Sequence, residues 1–479
     1  MDMTSGAPSA TGQQENISGE KMEKEALLNI LKSFSGTPAL VSVPVQTRQY
    51  KLRYFRKCLQ RAREDIYAAL KVDLHRDPME TVLAELIPLV SITDFLARNL
   101  PRLSRPRNLP GSLMTWPAAA KLYKEPYGRV LVVSTWNYPL LLALEPMLGA
   151  FAAGNQVVLK LSPRSPHTNE VVVKLIRSVF SPDEVIVIRD ELSLEETIDA
   201  RYDYIFVTGN TSTGQMVMSK AAASLTPCTM ELGGKNPCIV MNDANLKIAA
   251  RRIIWGKFFN AGQSCAAPDY LLVQKGIKER FMNMLAGEIR RIYGNEPLSS
   301  GLLASMPDEE TYERIVRLSA DGRLVAGGDR DPVNLTFAPT VIDRLPENSP
   351  LFTEEVFGPL LPVQEFTVEE EVIDHLVKRE RPLAAYCFGG SKKLRHFMTN
   401  RYSCGAVVFD DVLLHFTNMH IPFGGVGRSG FGAYHGEKSF TTFTHEKPVM
   451  KQTTLFDLPN RYPPHSGFVR KLLEILYRL

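Results

Sequence analysis

None of the six cysteines (Cys58, Cys228, Cys238, Cys265, Cys387 and Cys404) stands in C-x-x-C spacing. In a chain of 479 residues this speaks against a zinc site and against a disulfide-framed secreted scaffold, and a reducing, cytoplasmic setting fits best. Neither sign of charge dominates. The 56 Lys and Arg stand against 52 Asp and Glu, mixed along the chain, which excludes the basic footprint of a nucleic-acid binder. Long apolar runs are missing too. The most apolar stretch, 130–158, is broken by Asn137, Pro139, Glu145, Pro146, Gly154 and Asn155, so no segment is expected to span a membrane. The N-terminus lacks a basic segment followed by an apolar one, and its polar residues 1–20 are expected to be disordered.

What is present is a globular mixture, 44% hydrophobic and 23% charged, long enough for two or three domains. Between 21 and 100, apolar residues such as Tyr54, Cys58, Leu59, Ile66, Ala69 and Leu70 recur at helical spacing among Lys and Arg. A basic, Pro-rich connector follows at 101–111. From about 123 to 224, short apolar runs (129–133, 157–160, 185–188, 204–207) alternate with helical segments about every 25 residues. Runs without polar alternation are expected of strands covered on both faces, which predicts a doubly wound parallel sheet with ligands at the strand C-termini. A second α/β stretch runs from 236 to about 411.

Three segments carry candidate chemistry. Cys265 ends the polar, Gly-containing turn Asn260-Ala261-Gly262-Gln263-Ser264; a cysteine in such a turn is placed to act as a thiolate nucleophile, although most single cysteines merely pack. Glu231, 34 residues upstream, precedes Gly233-Gly234, where a carboxylate beside close-packed backbone is placed to activate water. Asn137 follows the run 129–133, and from a strand C-terminus its amide is placed to donate to a developing oxyanion.

With Glu354-Glu355-Val356-Phe357-Gly358-Pro359 and Pro422-Phe423-Gly424-Gly425-Val426-Gly427, these segments resemble the aldehyde dehydrogenase superfamily in order and spacing over about 53–447. Ala267-Pro268-Asp269-Tyr270, Leu225-Thr226-Pro227, the run 432–440 and Arg461-Tyr462-Pro463-Pro464 resemble its class 3 branch, which includes fatty and aromatic aldehyde dehydrogenases. The resemblance implies a Rossmann-type cofactor domain (21–102 and 124–232), an α/β catalytic domain (233–430) and an oligomerisation arm with a tail (103–123 and 431–479). It implies Cys265 as nucleophile, Asn137 and the Cys265 backbone N–H as oxyanion donors, and Glu231 as activator of the deacylating water. Lys160 and Glu355 would reach the two riboses of NAD or NADP and Phe357 the nicotinamide, with Trp136, Thr208, Gly209 and Thr211 completing the cofactor set; Thr211 or Ser212 is also expected to cap the helix that follows.

Where most relatives read Lys-Pro-Ser-Glu, this chain has Lys160-Leu161-Ser162-Pro163 followed by Arg164. Loss of that carboxylate and gain of a cation predict that NADP is accepted. Trp136, Tyr138, Phe259, Ala266 and Ala267 surround the nucleophile in sequence with no adjacent Arg or Lys, which predicts an apolar channel for medium- or long-chain aliphatic or aromatic aldehydes. The alternatives are a relative that passes its thioester to coenzyme A, against which Glu231 weighs, and a non-catalytic member, against which the intact Cys265, Glu231 and Asn137 weigh. A homodimer is expected. The amphipathic segment 468–479 is expected to dock on protein, with weak peripheral membrane contact as the other reading.

Overall fold

The structure is a computed structural model that describes residues 24–32, 43–112, 115–346, 348–457 and 461–478. The segment 1–20 lies outside the described residues. The chain divides into two compact units, the first reaching to Leu103 and resuming over Pro126–Thr444, the second comprising Ser104–Glu125 and His445–Leu479.

Two sheets organise the larger unit. In the first, the strands run side by side in the order Gly430–Phe431, Cys228–Leu232, Tyr204–Gly209, Arg129–Val133, Gln156–Lys160 and Val185–Ile188. All pairings are parallel except that of Gly430–Phe431 with Cys228–Leu232. Residues 431–444, grouped by sequence with the tail, therefore belong with the larger unit: Phe431 extends its sheet, and Tyr434, Phe440 and Phe443 enter its largest apolar cluster. Strands Arg129–Val133 and Gln156–Lys160 are buried at every position, as their unbroken apolar sequences require. The chain runs outward from Arg129–Val133 to Val185–Ile188, then returns to the other side at Tyr204–Gly209. Strand order reverses there, so a crevice opens at the C-terminal ends of these two strands.

The second sheet contains Arg323–Ala326, Thr340–Asp343, Leu360–Phe366, Tyr270–Gln274, Pro237–Val240, Ala384–Phe388 and Ala406–Phe409 in that spatial order. Only the edge strand Arg323–Ala326 is antiparallel. The helical region appears as Val45–Arg61, Arg63–Leu74 and Ile87–Leu103. Leu89, Ile92, Leu96 and Leu100 of the last pack with the wholly buried helix Leu141–Ala153 in one apolar cluster. The smaller unit is a three-stranded sheet of Arg107–Leu109, Ala119–Pro126 and Thr444–Lys451, with helix Gly467–Tyr477. Phe468, Ile475 and Tyr477 of that helix are exposed. Among the described residues no helix is long and apolar enough to cross a membrane, and no cluster of side chains is suited to hold a metal ion.

Candidate active site

Helix Leu246–Phe258 delivers the chain to a tight turn, Phe259–Gly262, that ends just before the candidate nucleophile. Asn260 and Ala261 both take left-handed backbone angles, with φ of 53° and 51°. Asparagine tolerates this conformation and alanine does so at a cost of about 1–2 kcal/mol, so the turn needs support. Gly262 follows at φ 73°, and a Cβ there would lie 2.3 Å from the Gly358 carbonyl; only glycine fits.

The support is a buried polar network. Arg76 and Glu85 are both fully buried and ion-paired. Arg76 Nε and Nη2 donate to Asn260 Oδ1 at 3.2 and 2.8 Å, and Nη2 also donates to the Asn137 carbonyl. Glu85 Oε2 accepts the backbone N–H groups of Leu140 and Leu141 at 2.7 and 2.9 Å. Asn260 Nδ2 donates to the Asn137 carbonyl at 2.9 Å. On the other flank, Asn236 Nδ2 donates to the carbonyls of Cys265 and Ala267 at 2.7 and 3.0 Å, while its Oδ1 accepts Ala384 N–H at 3.0 Å. The Cys265 turn is thereby tied to both sheets. Nothing in the sequence marked Arg76, Glu85 or Asn236, because charged and amide residues in helical or loop segments ordinarily face water.

Cys265, Asn137 and Glu231 line one cavity of about 750 Å³. The Asn137 amide spends one N–H on the Gln263 carbonyl at 3.0 Å and keeps a second. Glu231, at the end of strand Cys228–Leu232, is buried, and neither carboxylate oxygen meets a donor among the described residues. Burial, reinforced by the charge of Glu145, pushes its carboxyl well above the usual range. Burial likewise pushes the Cys265 thiol up to about 12, with Glu355 and Glu231 adding to the shift and the backbone N–H groups of Cys265 and Ala266 opposing it. Both groups are thus shifted toward their protonated forms, and their conjugate bases are the reactive forms.

The same cavity is lined by Trp136, Glu355, Phe357, Thr208, Gly209, Lys160, Pro163 and Arg164. The Trp136 and Phe357 rings meet edge-on at 5.7 Å. Glu355 Oε1 accepts Gly234 N–H at 3.1 Å, and a Cβ at Gly233 would fall 2.2 Å from Glu355 Oε2. Burial raises the Glu355 carboxyl to about 8, with Asp269 next in effect. Lys160 is buried, not solvated, with its ammonium on the carbonyls of Arg189 and Leu161; burial lowers its pKa against the charges of Glu191 and Asp190. Thr208 Oγ1 is buried without a partner among the described residues. A cleft lined by a carboxylate, a buried ammonium and a buried, unpartnered hydroxyl as well as the thiol fits a dinucleotide with two riboses.

Two expectations need correction. Thr211 does not line this cavity, whereas Asn210 and Thr213 do. Nor do Thr211 or Ser212 cap the helix: Asn210 Oδ1 accepts Thr213 N–H at 2.8 Å, making Asn210 the cap of helix Thr211–Ala223, because its side chain stands one residue earlier, where the backbone is still extended. Asp190, unmarked in the sequence, lines the same cavity as Arg164. Arg164 is ion-paired there with Asp308 at 3.1 Å.

Residues 18–449 match the aldehyde dehydrogenase family. The rat protein named aldehyde dehydrogenase family 3 member A2 is 37% identical over 430 residues, covering 89% of this chain and 88% of its own. The dog protein named aldehyde dehydrogenase, dimeric NADP-preferring, is 35% identical over 88% of this chain and 94% of its own. Among solved structures, a substrate-bound Staphylococcus aureus AldH superposes with a TM-score of 0.87 at 33% identity, over 96% of this chain and 99% of that one. With a thiol, an amide and an unpaired carboxyl gathered at the mouth of a dinucleotide-shaped cleft, and with this likeness along nearly its whole length, the chain belongs to the aldehyde dehydrogenase family and is an enzyme of its class 3 branch that uses NAD or NADP.

Proposed function

We propose that the enzyme oxidises medium- or long-chain aliphatic or aromatic aldehydes to carboxylic acids through a thioester on Cys265. The observation that carries this is the convergence of Cys265, Asn137 and Glu231 on one cavity, with a second, smaller cavity lined by Cys265 together with Leu141, Leu142, Phe259, Phe416 and Phe423. An apolar passage leading to a thiol suits an apolar aldehyde.

The Cys265 thiolate adds to the carbonyl carbon, forming a C–S bond and placing the electron pair on oxygen. The second N–H of Asn137 and the Cys265 backbone N–H hold that oxyanion. Lys160, Thr208, Gly209, Trp136, Glu355 and Phe357 would hold NAD or NADP, which when bound would supply the hydride acceptor. Re-forming the carbonyl expels the hydride and leaves a thioester. Glu231 then takes a proton from water, hydroxide adds to the thioester carbon, and the C–S bond breaks to release the acid and the thiolate. The test is reduced-nicotinamide absorbance with hexanal, decanal and benzaldehyde, each with NAD and with NADP; steady production with decanal or benzaldehyde is expected, and none with any aldehyde overturns the reading.

Both reactive groups must lose a proton, so the pH profile has a definite sign. Below the raised values of Cys265 and Glu231 the active fraction falls about tenfold per pH unit for each group that limits the rate. Activity is therefore expected to climb from about pH 7 to about pH 9, and a flat profile across that interval contradicts the assignment.

An exposed ion pair such as Arg164–Asp308 contributes only about 0–1 kcal/mol, so Arg164 is free to exchange Asp308 for a 2′-phosphate, while Asp190 repels one. The expected result is comparable kcat/KM for NAD and NADP. Arg164→Ala is expected to lower NADP use about tenfold relative to NAD, roughly 1.4 kcal/mol, and Asp190→Asn to raise it. Rejection of NADP by the unaltered enzyme defeats this assignment. A homodimer belongs to the same reading. It is supported by the exposed face of strand Thr444–Lys451 and by the name of the dog relative; sedimentation at the mass of one chain would remove it.

A further inference from the structure

The cavity beside Cys265 is lined mainly by apolar side chains, with Tyr138, Tyr434, Ser264 and one charged pair among them. His435 and Glu145 line it together. Glu145 is the only charged residue of the thirteen-residue helix Leu141–Ala153, every residue of which is buried. Its Oε1 lies 2.9 Å from His435 Nδ1 and accepts from Ser439 Oγ at 3.2 Å; Ser439 Oγ in turn accepts His435 N–H at 2.9 Å. His435 holds a left-handed φ of 79°, an unfavourable conformation for a side-chain-bearing residue. Backbone strain and a buried carboxylate are thus both tolerated where this imidazole stands. Its other nitrogen, Nε2, is buried and has no partner among the described residues.

Such an arrangement is costly for a passage that has only hydrocarbon to receive. An unpaired buried polar atom costs about 1–3 kcal/mol, and a buried ion pair is often no better than apolar residues of the same volume. The balance changes if substrate satisfies Nε2. Because Nδ1 faces a carboxylate, the imidazolium form of His435 is stabilised, and in that form Nε2–H is a charge-assisted donor. Burial works against that form, but the charge and hydrogen bond of Glu145 outweigh it and hold His435 above the ordinary imidazole value. His415, whose ring stacks on Phe423 at 6.0 Å, is instead pushed down to about 4 by burial, with the charge of His435 adding to the shift. The two histidines are thus shifted in opposite directions.

We propose that His435 is a specificity-determining residue whose Nε2–H, aligned by Glu145, donates to a second oxygen on the substrate chain, so that the preferred substrates are aldehydes bearing an ether, carbonyl or hydroxyl oxygen beyond the aldehyde carbon. This rests on the reading that the passage beside Cys265 receives the aldehyde. A site built to bond a substrate group discriminates strongly against the analogue that lacks it, because the site's own polar atom is then left unpaired.

The experiment compares kcat/KM for decanal with that for oxa-analogues in which one CH₂ at successive chain positions is replaced by an ether oxygen, and for the matching hydroxy compounds. At least one oxa-analogue is expected to exceed decanal roughly tenfold or more, and His435→Leu to bring that ratio to one or below. Glu145→Gln keeps an acceptor for Nδ1 but favours neutral His435 with a bare Nε2. That variant is expected to lose the preference for the ether while retaining it for the hydroxy compound, which can donate, and it serves as the test if His435→Leu fails to fold. The proposal is overturned if no oxygenated analogue exceeds decanal, or if the ratio survives both substitutions. Failure of the unaltered enzyme to oxidise any of these aldehydes with NAD or NADP would instead defeat the functional reading beneath it.

Discussion

Cys265→Ala is expected to lower aldehyde oxidation by about 10⁴–10⁶-fold, because both half-reactions pass through the bond its sulfur makes. Without the thioester there is no carbonyl to re-form as hydride leaves, and no acyl group for Glu231 to release. The substitution removes one sulfur and leaves the hydrogen bonds of the turn intact, since Asn236 and Tyr386 hold the Cys265 and Ala266 carbonyls, not the thiol. Folding should therefore persist, and an unchanged circular dichroism spectrum with lost activity separates chemistry from collapse. Activity within tenfold of the unaltered enzyme is incompatible with the mechanism.

Arg76→Met is expected to have the largest effect on stability. It leaves Glu85, fully buried, without its cation, and removing one partner of a buried pair costs about 3–5 kcal/mol. Glu85 keeps the N–H groups of Leu140 and Leu141, which soften the loss without supplying a countercharge. Burial already pulls the Glu85 carboxyl upward against Arg76, so in the variant it is expected to take up a proton at neutral pH. Urea unfolding measures the change, and the double variant Arg76→Met, Glu85→Gln should recover part of it, because no charge is then stranded. A loss below about 1 kcal/mol would mean that the pair behaves like a surface salt bridge. Activity is expected to fall as well, since Arg76 also holds the Asn137 carbonyl and the Asn260 side chain.

The contrast between Cys265 and Arg76 shows what was legible in the sequence. The nucleophile and Asn137 stand in turns after a helix and a strand, and Glu231 near the end of strand Cys228–Leu232 just before Gly233-Gly234, where local signals of glycine, proline and strand ending are strong. The parallel strands were equally legible, since Arg129–Val133 and Val185–Ile188 appear with the expected bounds. Arg76 sits in the short loop between helices Arg63–Leu74 and Pro78–Thr81 and Glu85 in the helical segment Val82–Leu86; such charges look solvated until the packing is known, and nothing local pairs Arg76 with Asn260, 184 positions away. Glu145 is the sharpest case. In sequence it was one of the residues that broke an apolar run, yet in the fold its partner is His435, 290 positions along the chain. The Thr211 expectation missed by a single residue, because cap geometry decides between neighbouring polar side chains and the sequence alone does not show which one precedes the first helical turn.

The central claim is that Cys265 carries the substrate as a thioester which Glu231 hydrolyses, and it is tested most directly by mass spectrometry of Glu231→Gln mixed with decanal and NAD. Loss of the base should slow deacylation about 10²–10⁴-fold while leaving addition and hydride transfer in place. The account predicts one burst of reduced nicotinamide per active site and a decanoyl adduct on the peptide containing Cys265, absent when Cys265→Ala is added. Undiminished steady turnover in Glu231→Gln, or a burst with no acyl group on Cys265, would contradict it.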